Sequence, residues 1–135
     1  MVVPMMQISL LAVALVTTSA AHARQNEHAS FIRVQSSIES AEIGMAQTVL
    51  NEGIEYEQAG KLVLAVGRFM DLLDLQGNAI GPYQAIGAVH VCGALAKMNK
   101  ISEAREYCRR AINWPGVPDR VHEAAERLLS KLPER

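Results

Sequence analysis

Seven positions between Gly53 and Leu72 recur at a constant distance further along the chain. Gly53, Tyr56, Gly60, Leu62, Ala65, Phe69 and Leu72 correspond to Cys92, Leu95, Asn99, Ile101, Ala104, Cys108 and Ala111, each thirty-nine residues on. A repeat of this length is one supersecondary unit. Copies of it bury their apolar faces by stacking on each other rather than by each building a core of its own. The small residues in the first half of each copy (Gly53, Cys92) and in the second half (Ala65, Ala104) predict two antiparallel helices in close approach. Phe69 and, less fully, Cys108 then fill the space one turn later.

The period inside each copy is helical. Ile38, Ile43, Ala46, Val49 and Leu50 recur at helical spacing, and the pattern carries on to Gln58 before Ala59-Gly60 breaks it. Leu62, Ala65, Val66, Phe69, Leu72 and Leu73 form a second apolar stripe, stopped by Gln76-Gly77-Asn78. The spacing predicts a short loop at Ile80-Gly81-Pro82, a helix from Ala85 to Met98, and another from Ser102 to Asn113, stopped by Trp114-Pro115-Gly116. A last helix over 119–132 has Val121, Ala124, Ala125, Leu128, Leu129 and Leu132 on its apolar side and ends at Pro133. Only Leu62 to Val66 looks locally like a strand, and it lies within a longer helical period. The expected fold is all-α: antiparallel helix-turn-helix repeats with a C-terminal capping helix.

Before the repeats, Ile8 to Val16 is a short apolar run, followed by Thr17, Thr18, Ser19 and the pattern Ala21-His22-Ala23. This reads as a secretory signal peptide over 1–23, cut after Ala23, although its first residues carry no Lys or Arg. The apolar run is short for a membrane span, which takes about 20 residues. With the segment removed, no transmembrane stretch is expected. Residues 24–36 show no firm period and read as a flexible leader. Ser36 or Ser37 is the expected cap of the first helix, with Glu39 in its first turn. The helical domain then covers 37–135.

The repeat resembles the tetratricopeptide family, whose unit is a helix-turn-helix. The family's small-residue, Tyr, Gly, Ala and Phe positions are matched by Gly53, Tyr56, Gly60, Ala65 and Phe69, and again by Cys92, Leu95, Ala104, Cys108 and Ala111. The units fall at about 46–79 and 85–118, with 119–132 as the cap. The longer offset implies inserted residues near 80–84. Val49 and Ala88 stand where the family carries Trp, and the late Pro is found only in the second unit, as Pro115. The resemblance implies a non-enzymatic interaction or scaffold module of the bacterial envelope, periplasmic or secreted, with a concave surface lined by the first helix of each unit. Carried over by position, the partner-binding residues are Gln47, Leu50, Ile54, Glu57 and Gln58, then Ile86, Val89 and Lys97. The partner is an unknown protein or peptide. Two alternatives remain: residues 37–45 fold back over that surface, or the protein is an accessory subunit acting by homo-oligomerisation.

Cys92 and Cys108 are the two cysteines. In an oxidising compartment the repeat geometry favours a structural disulfide, since it sets both on facing sides of paired helices. Two unbonded buried thiols are the alternative. Redox catalysis lacks a C-x-x-C motif to support it.

No other constellation carries chemistry. His22, His28, His90 and His122 have no metal-ligand spacing. The glycines at 77, 81, 87 and 93 lack the Gly-Lys-Ser/Thr ending of a phosphate loop, and there is no Gly-x-Ser-x-Gly. No catalytic residue, cofactor or metal is expected. A net charge of -1 gives no reason to expect nucleic acid as a partner. The charge is uneven, however. Residues 24–75 carry 4 basic and 8 acidic side chains, and residues 76–135 carry 9 and 6, with Lys97, Lys100, Arg105, Arg109 and Arg110 clustered. These cations read as helix-end complements, or as a patch for an acidic segment or for self-association.

Overall fold

The structure, a computed structural model, describes residues 4–134, with side chains from residue 21 onward. Its helices are α1 (Pro4–Gln58), α2 (Leu62–Asp74), α3 (Gly81–Lys97), α4 (Ile101–Ile112) and α5 (Asp119–Lys131). The described residues contain no strand, so the chain is all-α. It divides into two compact units, Met1–Ile38 and Glu39–Arg135.

Residues 24–36, expected as a flexible leader, are helical and exposed. No Gly or Pro occurs between Pro4 and Gly44, so nothing interrupts the backbone ladder once it has started. A helix with no buried face needs no apolar period, which is why none was visible. The expected cap at Ser37 is absent for the same reason. The Ser37 hydroxyl donates to the carbonyl of Arg33 at 3.0 Å, a bond made inside a continuing helix. Of the segment read as a signal peptide, the side chains of residues 1–20 lie outside the described set. Among the described residues no helix is long and apolar enough to cross a membrane.

The second unit holds the repeats. The end of α1 and α2 make one hairpin, α3 and α4 the next, and α5 packs on both α3 and α4. The turns of the two hairpins are the same object. Gly60 and Asn99 both take a left-handed backbone, with φ of 74° and 61°. Lys61 donates its N–H to the Tyr56 carbonyl, and Lys100 donates its own to Leu95, the corresponding residue, both at 2.9 Å. The residue after each turn then opens the next helix. Glycine has no Cβ to clash in this conformation, and asparagine tolerates it better than other side chains do.

Within each hairpin the packing follows the repeat with one correction. Ala65, Phe69 and Leu72 are fully buried, as are their counterparts Ala104, Cys108 and Ala111. What Gly53 faces, however, is the ring of Phe69, one turn beyond Ala65. A Cβ on Gly53 would come within 2.7 Å of Phe69 Cδ1, so the glycine is the hollow that admits the ring. At the corresponding place in the second hairpin, Cys92 and Cys108 form a disulfide with Cα atoms 5.3 Å apart. Of the three readings left open for these cysteines, the bonded one is observed.

The residues expected as a loop at 80–82 belong largely to α3, which begins at Gly81 with Pro82 in its first turn. Proline suits that position, because its missing N–H would have no helical partner there and its φ is already helical. The joint between the hairpins is made by Gln84. Its Nε2 donates to the carbonyl of Leu75 at 2.8 Å, and lies 3.3 Å from those of Leu72 and Leu73. These are carbonyls at the end of α2, where the helical ladder runs out and only that of Leu72 takes a backbone N–H, from Leu75 at 3.3 Å. Gly87 lets α2 and α3 approach closely, since a Cβ there would lie 2.9 Å from Leu72 Cδ2.

Candidate functional site

The first helices of the two hairpins, α1 and α3, are tied to each other by side chains along their length. Gln47 donates to the Tyr83 hydroxyl at 3.0 Å. Further along, Nδ1 of His90 lies 3.3 Å from both carboxylate oxygens of Glu57. The same imidazole stacks on Phe69, with ring centroids 5.0 Å apart. His90 is therefore held on one side by a carboxylate and on another by the aromatic core of the first hairpin.

Beyond His90 the surface dips. Ile86, Val89 and His90 of α3 and Arg120, Val121 and Ala124 of α5 line an open cavity of about 180 Å³. Its lining is mostly aliphatic, and Arg120 is part of it, in no ion pair among the described residues. A hollow of this size accommodates one branched apolar side chain. The unpaired cation beside it favours a carboxylate as that side chain's neighbour.

The expected site residues divide between this surface and other places. Ile86 and Val89 line the cavity, and Glu57 reaches it through His90. Ile54 is half-buried against the core, on the same helix as Glu57. Gln47 is on the surface but engaged by Tyr83. Gln58 and Lys97 are exposed and line none of the described cavities. Leu50 is corrected: it is buried in the core and faces no groove. The reason is that α1 packs against both α2 and α3. Its buried arc therefore spans Ala46, Val49, Leu50 and Gly53, wider than one hairpin alone requires.

Three contributors were missed, Arg120, Val121 and Ala124. They lie on α5, which was read only as a solvating cap. The apolar spacing of Val121 and Ala124 was visible, but both were assigned to packing. Residues 39–45 do not fold back over the surface, because they are the leading turns of the same helix as residues 46–58.

On the opposite face, Arg68 bridges α1 and α2. Its Nε donates to Glu52 at 2.6 Å and its Nη1 to Asp71 at 3.0 Å. Accepting these hydrogen bonds, Asp71 first and then Glu52 hold the guanidinium above its ordinary pKa. A wider hollow beside α4, about 650 Å³, has Glu106, Arg109, Arg110 and Trp114 in its walls. Its walls come from α4 and the segment just after it. The described residues contain no group of three or more His, Cys, Asp or Glu side chains placed to hold a metal.

Comparison of the chain with protein-family models, with curated proteins and with solved structures returns no match.

Proposed function

We propose that the protein is an exported, non-enzymatic interaction module of the tetratricopeptide type, which captures a segment of a partner protein on the surface shared by α1, α3 and α5. The observation that carries this reading is the cavity at Ile86, Val89 and Val121. It leaves aliphatic side chains accessible on the side of the hairpins where a repeat of this kind binds. Repeat arrays bind through such surfaces because each hairpin adds its first helix to a continuous wall. Placement outside the cytosol is supported by the Cys92–Cys108 bond, a linkage typical of oxidising compartments, and by the signal-like sequence before Arg24.

The chemistry of the hollow defines the segment it takes: an apolar side chain, Leu or Ile in size, next to Asp or Glu. A displayed random-peptide selection against the oxidised protein tests this. Enrichment of apolar-acidic pairs, lost with Val89→Arg and weakened with Arg120→Glu, is the expected result. Peptides that bind Val89→Arg as well as the parent would show that another surface is responsible.

A further inference from the structure

The repeat provides an internal control for every surface position, and one face fails it. In α4, the outward residues Ser102, Glu103 and Glu106 are polar and exposed, as a solvent-facing helix side should be. Their counterparts thirty-nine residues earlier, on α2, are Val63, Leu64 and Gly67. Val63 is 71% exposed and Leu64 52% exposed. Two adjacent branched apolar side chains thus face water at positions that the sister hairpin fills with Ser and Glu. On the next turn Gly67 leaves the backbone bare, with open space where its Cβ would be and no atom within 4 Å.

Helical spacing sets Val63, Leu64, Gly67, Asp71 and Asp74 along one side of α2. That side carries an apolar centre, a bare glycine and two carboxylates at its C-terminal end. Lys61, exposed and in no ion pair among the described residues, stands at the N-terminal end. Such a face is complementary to itself when turned end for end. Laid antiparallel on a second copy, Leu64 of each chain rests on the bare backbone at Gly67 of the other. The Lys61 of each chain then comes beside the other's Asp74, with Asp71, itself paired with Arg68, next to it, so the same charge pairing occurs twice.

We infer that the outer face of α2 is a two-fold docking surface for a second copy of this chain. An isologous contact of this kind needs one patch that complements itself, and the reversed order of charge along α2 supplies it. The patch is small, about one helix wide, so the dimer is a weak one. It lies on α2, which contributes nothing to the cavity between α3 and α5. Each copy therefore keeps that cavity free, and the dimer presents two of them.

Sedimentation equilibrium of the full chain tests the inference. The parent protein is expected to show a concentration-dependent monomer–dimer equilibrium. Installing the sister hairpin's residues, Val63→Ser with Leu64→Glu, weakens it at least tenfold while helicity by circular dichroism is unchanged. Lys61→Glu alone also weakens it. Mixing Lys61→Glu protein with Asp71→Lys/Asp74→Lys protein restores association as a mixed dimer, a rescue that a merely unfolded variant cannot give. A parent that stays monomeric at several hundred micromolar overturns the inference. So does self-association that persists unchanged in the Val63→Ser/Leu64→Glu variant, or that is abolished by Val89→Arg instead.

Discussion

Gly53 and Phe69 meet in the first hairpin where Cys92 and Cys108 meet in the second: one pair is an aromatic ring in a glycine hollow, the other a covalent bond. The same antiparallel crossing has been closed in two chemically different ways. The disulfide is the more demanding of the two, because it holds only while oxidised.

Reduction is therefore expected to destabilise the second hairpin far more than the first. The bond joins residues separated by 16 positions, and a closed loop of that size contributes about 3 kcal/mol through the unfolded chain. Urea unfolding with and without a thiol reductant measures it. A midpoint that reductant leaves unmoved would mean that helix packing alone holds Cys92 against Cys108.

The two closures should also be exchangeable as pairs and not singly. Measured against the reduced protein, so that loss of the disulfide is common to every variant, Cys108→Phe on its own drives a ring into the side chain of Cys92, and overpacking of that kind costs about 1–3 kcal/mol. Adding Cys92→Gly reopens the hollow and recovers most of the loss, a coupling readable by a double-mutant cycle. Additive effects of the two substitutions would count against the equivalence of the sites.

Asn99 performs the turn that Gly60 performs, with a positive φ in each. Asn99→Gly should be tolerated to within about 0.5 kcal/mol, whereas Asn99→Ala loses on the order of 1 kcal/mol, since alanine meets the left-handed penalty with no side-chain compensation. Thermal melts of the two variants distinguish these outcomes. Equal melting temperatures would show that the turn relaxes to another conformation.

Gln84 is the third place where stability concentrates. Gln84→Leu keeps the bulk and removes the donor, leaving the end carbonyls of α2 poorly satisfied at a cost of about 1–3 kcal/mol. Denaturation measured with probes in each hairpin should show both destabilised together, because the amide acts at their joint. A loss confined to α3 and α4 would place its effect within one hairpin.

The hairpins were legible because each buries one stripe of a helix, and a stripe leaves a period in the sequence. The paired cysteines were legible for a related reason: the repeat set them on the facing sides of two paired helices. Features with no period were not. Residues 24–36 bury no face, so their helix left no trace, and only the absence of Gly and Pro permitted it. Leu50 was misplaced because its carried-over position ignored the second neighbour of α1. Gln84 looked like any other glutamine, since its role is set by where α2 ends, a boundary the sequence marks only to within a few residues. The cavity was half legible. Ile86 and Val89 came from repeat position, while Arg120, Val121 and Ala124 required knowing that α5 lies beside α3.

The Gln84 amide has a consequence for binding as well as for folding. In a long solenoid, curvature accumulates over many joints, and an error at one is averaged by the rest. Among the described residues there is a single joint between complete hairpins, and one side chain with three carbonyls at its reach helps to fix it. The breadth of the wall formed by α1 and α3 then depends on this amide together with the Gln47–Tyr83 and Glu57–His90 ties. Selection for a different ligand size could act there, at a residue that no ligand would touch.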